Sequence, residues 1–203
     1  MLRRTPPTRS RRIPPAGFIF PCNPVLVAKP SAGPDWLHVV KHGYRLLALK
    51  DAARVKLWSR RGTDFTDKFP PITEAVQSLP AKHALVDGEA VVFRPDGRTD
   101  FEALLTRRGG ESASYVAFDL MSLEGEDLRL GPLEERREAL SRLVAGLDGV
   151  LFSEAIEAEG AVVFAKACEL GLEGIVSKRA GSLYKSGRSR NWLKTINPNF
   201  VRT

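Results

Sequence analysis

From residue 36 onward, short runs of bulky and β-branched residues alternate with polar breaks. WLHVV, YRLLALK and ARVKLWS have the length and composition of strands, and LKDAAR between the last two reads as a hairpin with Asp51 in the turn. ALVDGEAVVF reads as a strand-pair region closed by the turn RPDGR. SYVAFDL, GVLFSE, EGIVSKR and NWLKTI complete the strands. Three segments change period. PPITEAVQSL opens on proline and carries Ile72, Val76 and Leu79 on one helical face. PLEERREALSRLVAGL has Pro132 at its start, two acids in its first turn and the apolar set Leu133, Leu140, Leu143, Val144 and Leu147. EGAVVFAKACELGLEG predicts a third helix, ending near Gly171. Strands with interspersed helices and no strict βα alternation predict an α+β fold with antiparallel sheets flanked by helices.

The N-terminal stretch MLRRTPPTRSRRIPP breaks this pattern. Arginine and proline dominate it and it has no acid, so residues 1–16 are expected to form a disordered, extended arm ahead of a folded domain over 17–203. A chain of 203 residues with 43% hydrophobic content can bury one good-sized core. Its formal charge of +7 suits a polyanionic partner. Cys22 and Cys168 lie far apart without CxxC spacing, which argues against a disulfide framework or a cysteine zinc site. No apolar run approaches the ~18 residues of a membrane span, and no apolar stretch follows the basic N-terminus as in a secretory signal. The chain is read as cytoplasmic.

Five segments are rich in chemistry: Lys41 to Arg45, Trp58 to Gly62, Val86 to Ala90, Glu173 to Lys178 and Trp192 to Ile196. Glu89 sits in an otherwise apolar strand and Glu173 precedes another, places where a carboxylate is costly unless paired or bound to a cation. Two converging carboxylates would hold a magnesium ion, with phosphate oxygens completing its shell. Lys178 and Lys194 fall at strand positions and would meet phosphate as point charges. Cations grouped around a lysine lower its pKa and supply a free amine, as a nucleophile attacking an α-phosphate requires. Singly, each segment has an ordinary structural explanation, a strand-end lysine being most often a solvated charge.

Taken in order, these segments resemble the adenylation domain of ATP-dependent DNA ligases, especially the bacterial end-joining type. AGFIFPCNPVLVAKPSAGPDWLH, LWSRRGTDFTDKFP, LVDGEAVVFRPDGRTDFEAL, YVAFDLMSLEGEDLR and EGIVSKRAGSLYKSGRSRNWLK carry the resemblance from about Gly17 onward. It implies a nucleotidyltransferase fold that uses ATP and Mg2+ and acts on double-stranded DNA with nicks or ends, beside other end-joining proteins. It also implies roles. Lys41 is the nucleophile that becomes lysyl-AMP; Arg45 and Arg60 contact ribose and phosphates; Glu89 lies near ribose and metal. Phe118 stacks on adenine, Glu173 binds metal, and Lys178 and Lys194 contact phosphates.

The sequence departs from the family at three points. The family's first motif is lysine, any residue, aspartate, glycine; here Lys41-His42-Gly43 is one residue short and has no aspartate. Val39 stands where the family has an adenine-reading glutamate, and Ile196 where its last motif has a second lysine. The family's ligases continue into an OB domain beyond the point reached by Thr203. The expectation is a ligase-like protein whose own nick sealing is weak or lost. The alternative is a non-catalytic nucleic-acid-binding remnant, with the acid-free run from Ser177 to Lys194 as its contact surface.

Overall fold

The structure is a computed structural model that describes residues 16–40 and 43–200. Apart from Ala16, the predicted arm lies outside these residues, as do Lys41, His42 and residues 201–203. Ten strands and four α-helices follow in chain order among the described residues: β1 (Cys22–Leu26), β2 (Trp36–Val40), β3 (Tyr44–Asp51), β4 (Arg54–Ser59), α1 (Pro70–Gln77), β5 (His83–Val91), α2 (Arg107–Glu111), β6 (Ser114–Leu123), β7 (Glu126–Asp127), α3 (Leu133–Val144), β8 (Val150–Phe152), α4 (Gly160–Glu169), β9 (Gly174–Arg179) and β10 (Gly187–Ile196). They form two sheets, one ordered β1-β10-β9-β2 and the other β4-β3-β5-β6-β7, with β8 beside β6. The α+β architecture is the expected one.

Most pairings are antiparallel, but two are parallel: β1 with β10, and β6 with β8. The β1 strand was not visible in the sequence because Pro24 and Asn23 interrupt it. Proline is tolerated there because β1 is an edge strand and its register shifts between Pro24 and Val25. A second correction concerns ALVDGEAVVF, which is one continuous strand rather than a strand pair. Asp87-Gly88 makes no turn. Gly88 instead lets the Tyr115 ring lie against the backbone: an added Cβ would fall 2.6 Å from Tyr115 Cζ.

Burial on both faces explains the apolar run in β3. Leu46 and Ala48 pack with Phe69, Ile72, Val76, Leu140 and Leu143 in the core between the larger sheet and the helices α1 and α3. Leu47 turns the other way, into a second core with Trp58, Leu85, Met121, Tyr184 and Trp192 that joins the two sheets. The outer side of the smaller sheet is covered by α4, whose Val163 and Ala167 pack with Ile175 of β9. Helix ends are tied from outside: Lys50 Nζ on β3 donates to the carbonyls of Gln77 (2.5 Å) and Leu79 (2.8 Å) at the C-terminus of α1. No helix among the described residues is long and apolar enough to cross a membrane.

Candidate active site

The two sheets leave a pocket of about 650 Å³ between them. Its walls come from β1 (Asn23, Pro24), β2 (Val39, Val40), β3 (Tyr44, Arg45), β5 (Glu89), β6 (Phe118), β9 (Val176, Lys178) and β10 (Trp192, Lys194). The volume falls in the range of small-molecule sites. Lys41 and His42 lie outside the described residues, but Val40 and Gly43, which flank them in the chain, both line this pocket. The Gly43 amide donates to Glu89 Oε2 at 2.9 Å, anchoring the start of β3 to the carboxylate on β5.

Arg45 is held from behind. Its Nε donates to Asp87 Oδ1 at 2.8 Å, and its Nη2 donates to Asp87 Oδ2, a two-point fork on a fully buried carboxylate. The guanidinium lies 5.1 Å from the Phe118 ring centroid and 5.5 Å from that of Trp192. Burial works against its charge, but the Asp87 carboxylate outweighs burial and keeps the arginine protonated. Among the described residues, the other three of its five N–H groups have no hydrogen-bond partner.

Lys178 occupies the middle of the floor. Its Nζ sits 4.1 Å from the Phe118 centroid and 4.0 Å from that of Trp192, and donates to the Phe118 carbonyl at 3.1 Å. Only 1% of the residue is exposed. Burial brings its pKa down to about 7, opposed by Asp119 and assisted by Arg137. Phe118 lies between these cations, 9% exposed, with its edge toward Trp192.

Arg60 sits at the rim. Ser59 Oγ accepts from the amides of Arg61 (3.3 Å) and Thr63 (3.1 Å), and Gly62 adopts a positive φ of 80°, so β4 ends in a tight turn that presents Arg60 and Arg61 to the pocket. Lys194 lines the pocket and pairs with Glu173 at 2.8 Å. The structure thus brings Arg45, Arg60, Glu89, Phe118, Lys178 and Lys194 around one cavity. Glu173 is not part of its wall and reaches it through Lys194.

Sequence reasoning missed the supporting side chains. Arg136 on α3 is 1% exposed and makes a two-point pair with Asp119, Nε to Oδ1 at 2.8 Å and Nη2 to Oδ2 at 3.1 Å. Its neighbour Arg137 donates to the Phe118 carbonyl at 3.2 Å and to that of Ser153 at 2.7 Å. Phe118 is therefore fixed through its backbone by two cations, one from a helix and one from a strand. Asp87 and Tyr184, bonded at 2.6 Å, were likewise unassigned.

Two sheets around a cationic cleft, with a buried lysine and arginine on aromatic rings, form the nucleotidyltransferase fold of ATP-dependent ligases. Residues 33–195 match the family described as the ATP dependent DNA ligase domain, and the chain belongs to that family. The multifunctional non-homologous end joining protein LigD of Pseudomonas aeruginosa is 40% identical over 189 residues, which cover 90% of this chain and 22% of that protein. The SPbeta prophage-derived DNA ligase-like protein LigB of Bacillus subtilis is 34% identical over 164 residues, covering 78% of this chain and 60% of that protein. Among solved structures, a mycobacterial DNA ligase D complexed with ATP and MES superposes with a TM-score of 0.74 at 30% identity, over 88% of this chain and 62% of that chain. The chain thus spans about a fifth of the length of the Pseudomonas relative and about three fifths of the Bacillus one. It is ATP-dependent DNA ligase-like, with end-joining homologues.

Proposed function

We propose that the chain is the self-adenylating part of an end-joining DNA ligase. In this reading the Lys41 amine attacks the α-phosphorus of ATP, a P–N bond forms, the bond to the β-phosphate oxygen breaks, and pyrophosphate leaves as the amine gives up its proton. AMP then passes to the 5′-phosphate at a nick or end in double-stranded DNA, and a 3′-hydroxyl displaces it. Arg45, Arg60, Lys178 and Lys194 would hold the ribose and phosphates, and Phe118 the adenine. Glu89 has a position on the pocket wall that suits a Mg2+ ligand, and Glu173 would join it by releasing Lys194; the ion would neutralise phosphate charge. Residues 17–203 would form the adenylation domain behind the basic arm, working with other end-joining proteins in the cytoplasm.

The observation that carries this reading is the pocket itself: five basic residues and one carboxylate converge on a cavity whose wall includes both residues flanking Lys41–His42. Incubation with α-labelled ATP and Mg2+ tests it. The expected result is a covalent label on the protein, lost in Lys41→Ala; an unlabelled wild-type chain refutes it. A second reading, a nucleic-acid-binding remnant without catalysis, is favoured by Val39 on the pocket wall, by the shortened first motif and by Arg179, Lys185, Arg188 and Arg190, all exposed. Its signature is duplex binding that weakens steeply with salt in a chain that takes no label.

A further inference from the structure

Tyr184 does not line the pocket, yet it is the innermost member of a chain of contacts that ends there. It belongs to the connection between β9 and β10, which is gripped from one side by the segment leading into α3 and by α3 itself. The Gly181 amide donates to both carboxylate oxygens of Glu134 at 2.9 Å, the Ser182 carbonyl accepts from Arg136 Nη1 at 2.9 Å, and the Tyr184 amide donates to the Arg129 carbonyl at 3.0 Å. Tyr184 then reaches inward. Its hydroxyl donates to Asp87 Oδ2 at 2.6 Å and accepts from the Cys22 amide at 3.0 Å. Asp87 in turn holds the Arg45 guanidinium, the group that faces the pocket.

We infer that Tyr184 is a positioning residue for nucleotide binding: its hydroxyl fixes the rotation of the Asp87 carboxylate, and that carboxylate aims the Arg45 guanidinium at the ligand. The inference rests on the nucleotide-binding reading of the pocket. A carboxylate in a buried site can turn about its last bond unless both oxygens are engaged, and a guanidinium paired in a fork turns with it. Among the described residues, Asp87 Oδ1 bonds Arg45 alone, whereas Oδ2 bonds both Arg45 and Tyr184. The phenol is therefore the contact that ties the pair to the scaffold. Cys22 holds the phenol oxygen from the other side, so the donor cannot swing away. Burial raises the phenol's pKa well above 10, so it remains a donor at any working pH. The ring itself is retained in phenylalanine, and its edge-to-face packing on Trp192 at 5.8 Å does not need the hydroxyl.

The experiment is a double-mutant cycle on Tyr184→Phe and Arg45→Ala, read by equilibrium binding of labelled ATP and by the rate of lysine labelling, with folding checked by thermal melts. Tyr184→Phe is expected to weaken ATP binding about tenfold, and the double variant to be no weaker than Arg45→Ala alone, because the phenol acts only through the arginine. Additive losses overturn the inference, as does unchanged binding in Tyr184→Phe. A wild-type chain that binds no ATP overturns the nucleotide-binding reading instead, and the two failures are told apart by that control. Should Tyr184→Phe not fold, Asp87→Asn tests the same linkage: it keeps the shape of the side chain but replaces one of the two oxygens that join the phenol to the guanidinium. It is expected to weaken ATP binding about tenfold, and a wild-type affinity there overturns the inference.

Discussion

Lys178→Met separates the cost of a buried amine from its use. In the folded chain burial brings the amine to about 7 from an ordinary 10.5. Between those values the folded chain has shed the proton and the unfolded chain still holds it, so unfolding takes up a proton and stability rises with pH. The change is worth about 2 kcal/mol between pH 7 and pH 9, taking the two pKa values and ~1.4 kcal/mol per unit. Other groups bound the window. Above pH 9 the Cys22 thiol, pushed by burial from 9.0 to about 11, works in the opposite sense. Below it lies His38, lowered from 6.5 chiefly by burial. Methionine has no proton to lose and fits between the Phe118 and Trp192 rings with favourable sulfur contacts. The assay is urea denaturation followed by tryptophan fluorescence at pH 7, 8 and 9. Wild type should gain about 2 kcal/mol across the series relative to Lys178→Met, with the methionine variant ahead at pH 7, where replacing a buried charge by an apolar group stabilises. ATP affinity should fall at the same time. Parallel pH profiles in the two proteins would mean that Lys178 is not buried as a titrating amine, and the argument fails.

Arg136→Met leaves Asp119 buried without its partner and should cost about 3–5 kcal/mol in urea denaturation; adding Asp119→Leu should recover at least half, and a double variant as unstable as the single would show that the pair is not the source of the loss. Ile196 is 40% exposed and lies two positions beyond Lys194 on β10, on the same strand face, so Ile196→Lys should change stability by less than about 0.5 kcal/mol. It should tighten ATP binding about two- to fivefold at low salt, and an unchanged affinity by filter binding would place position 196 out of reach of the phosphates.

Much of this architecture was legible in the residues because it follows from local periodicity. The β3 and β4 hairpin, β6 and the three longer helices all announce themselves by the spacing of apolar side chains. What escaped was decided by distant partners. The α3 stripe at 133, 136, 137, 140, 143 and 144 has helical spacing throughout, but two of its members are arginines, and only the carboxylate and carbonyls they meet make their burial affordable. Their interior role was signalled by that spacing and hidden by their charge. The reverse held for Asp87-Gly88, whose turn-like composition is overridden by the Tyr115 ring packed on the glycine. Among the site residues, the cations were readable from the order of the motifs. That Arg45 is already bound to Asp87, and Glu173 to Lys194, required the fold.

The smaller sheet has a consequence for how the protein is made. Its strands come from residues 22–40 and 174–196, with β10 pairing in parallel with β1 and β9 pairing with β2, while β3 to β7 of the larger sheet are all contributed by residues 44–127. On the ribosome, the larger sheet can gather as it emerges, but β1 and β2 must wait for partners translated some 150 residues later. Until then their edges stay open to wrong pairing, and the wall that carries Lys178 and Lys194 does not exist. In the nucleotide-binding reading, ATP has no complete pocket until synthesis has passed β10, and its binding would then hold the two sheets together.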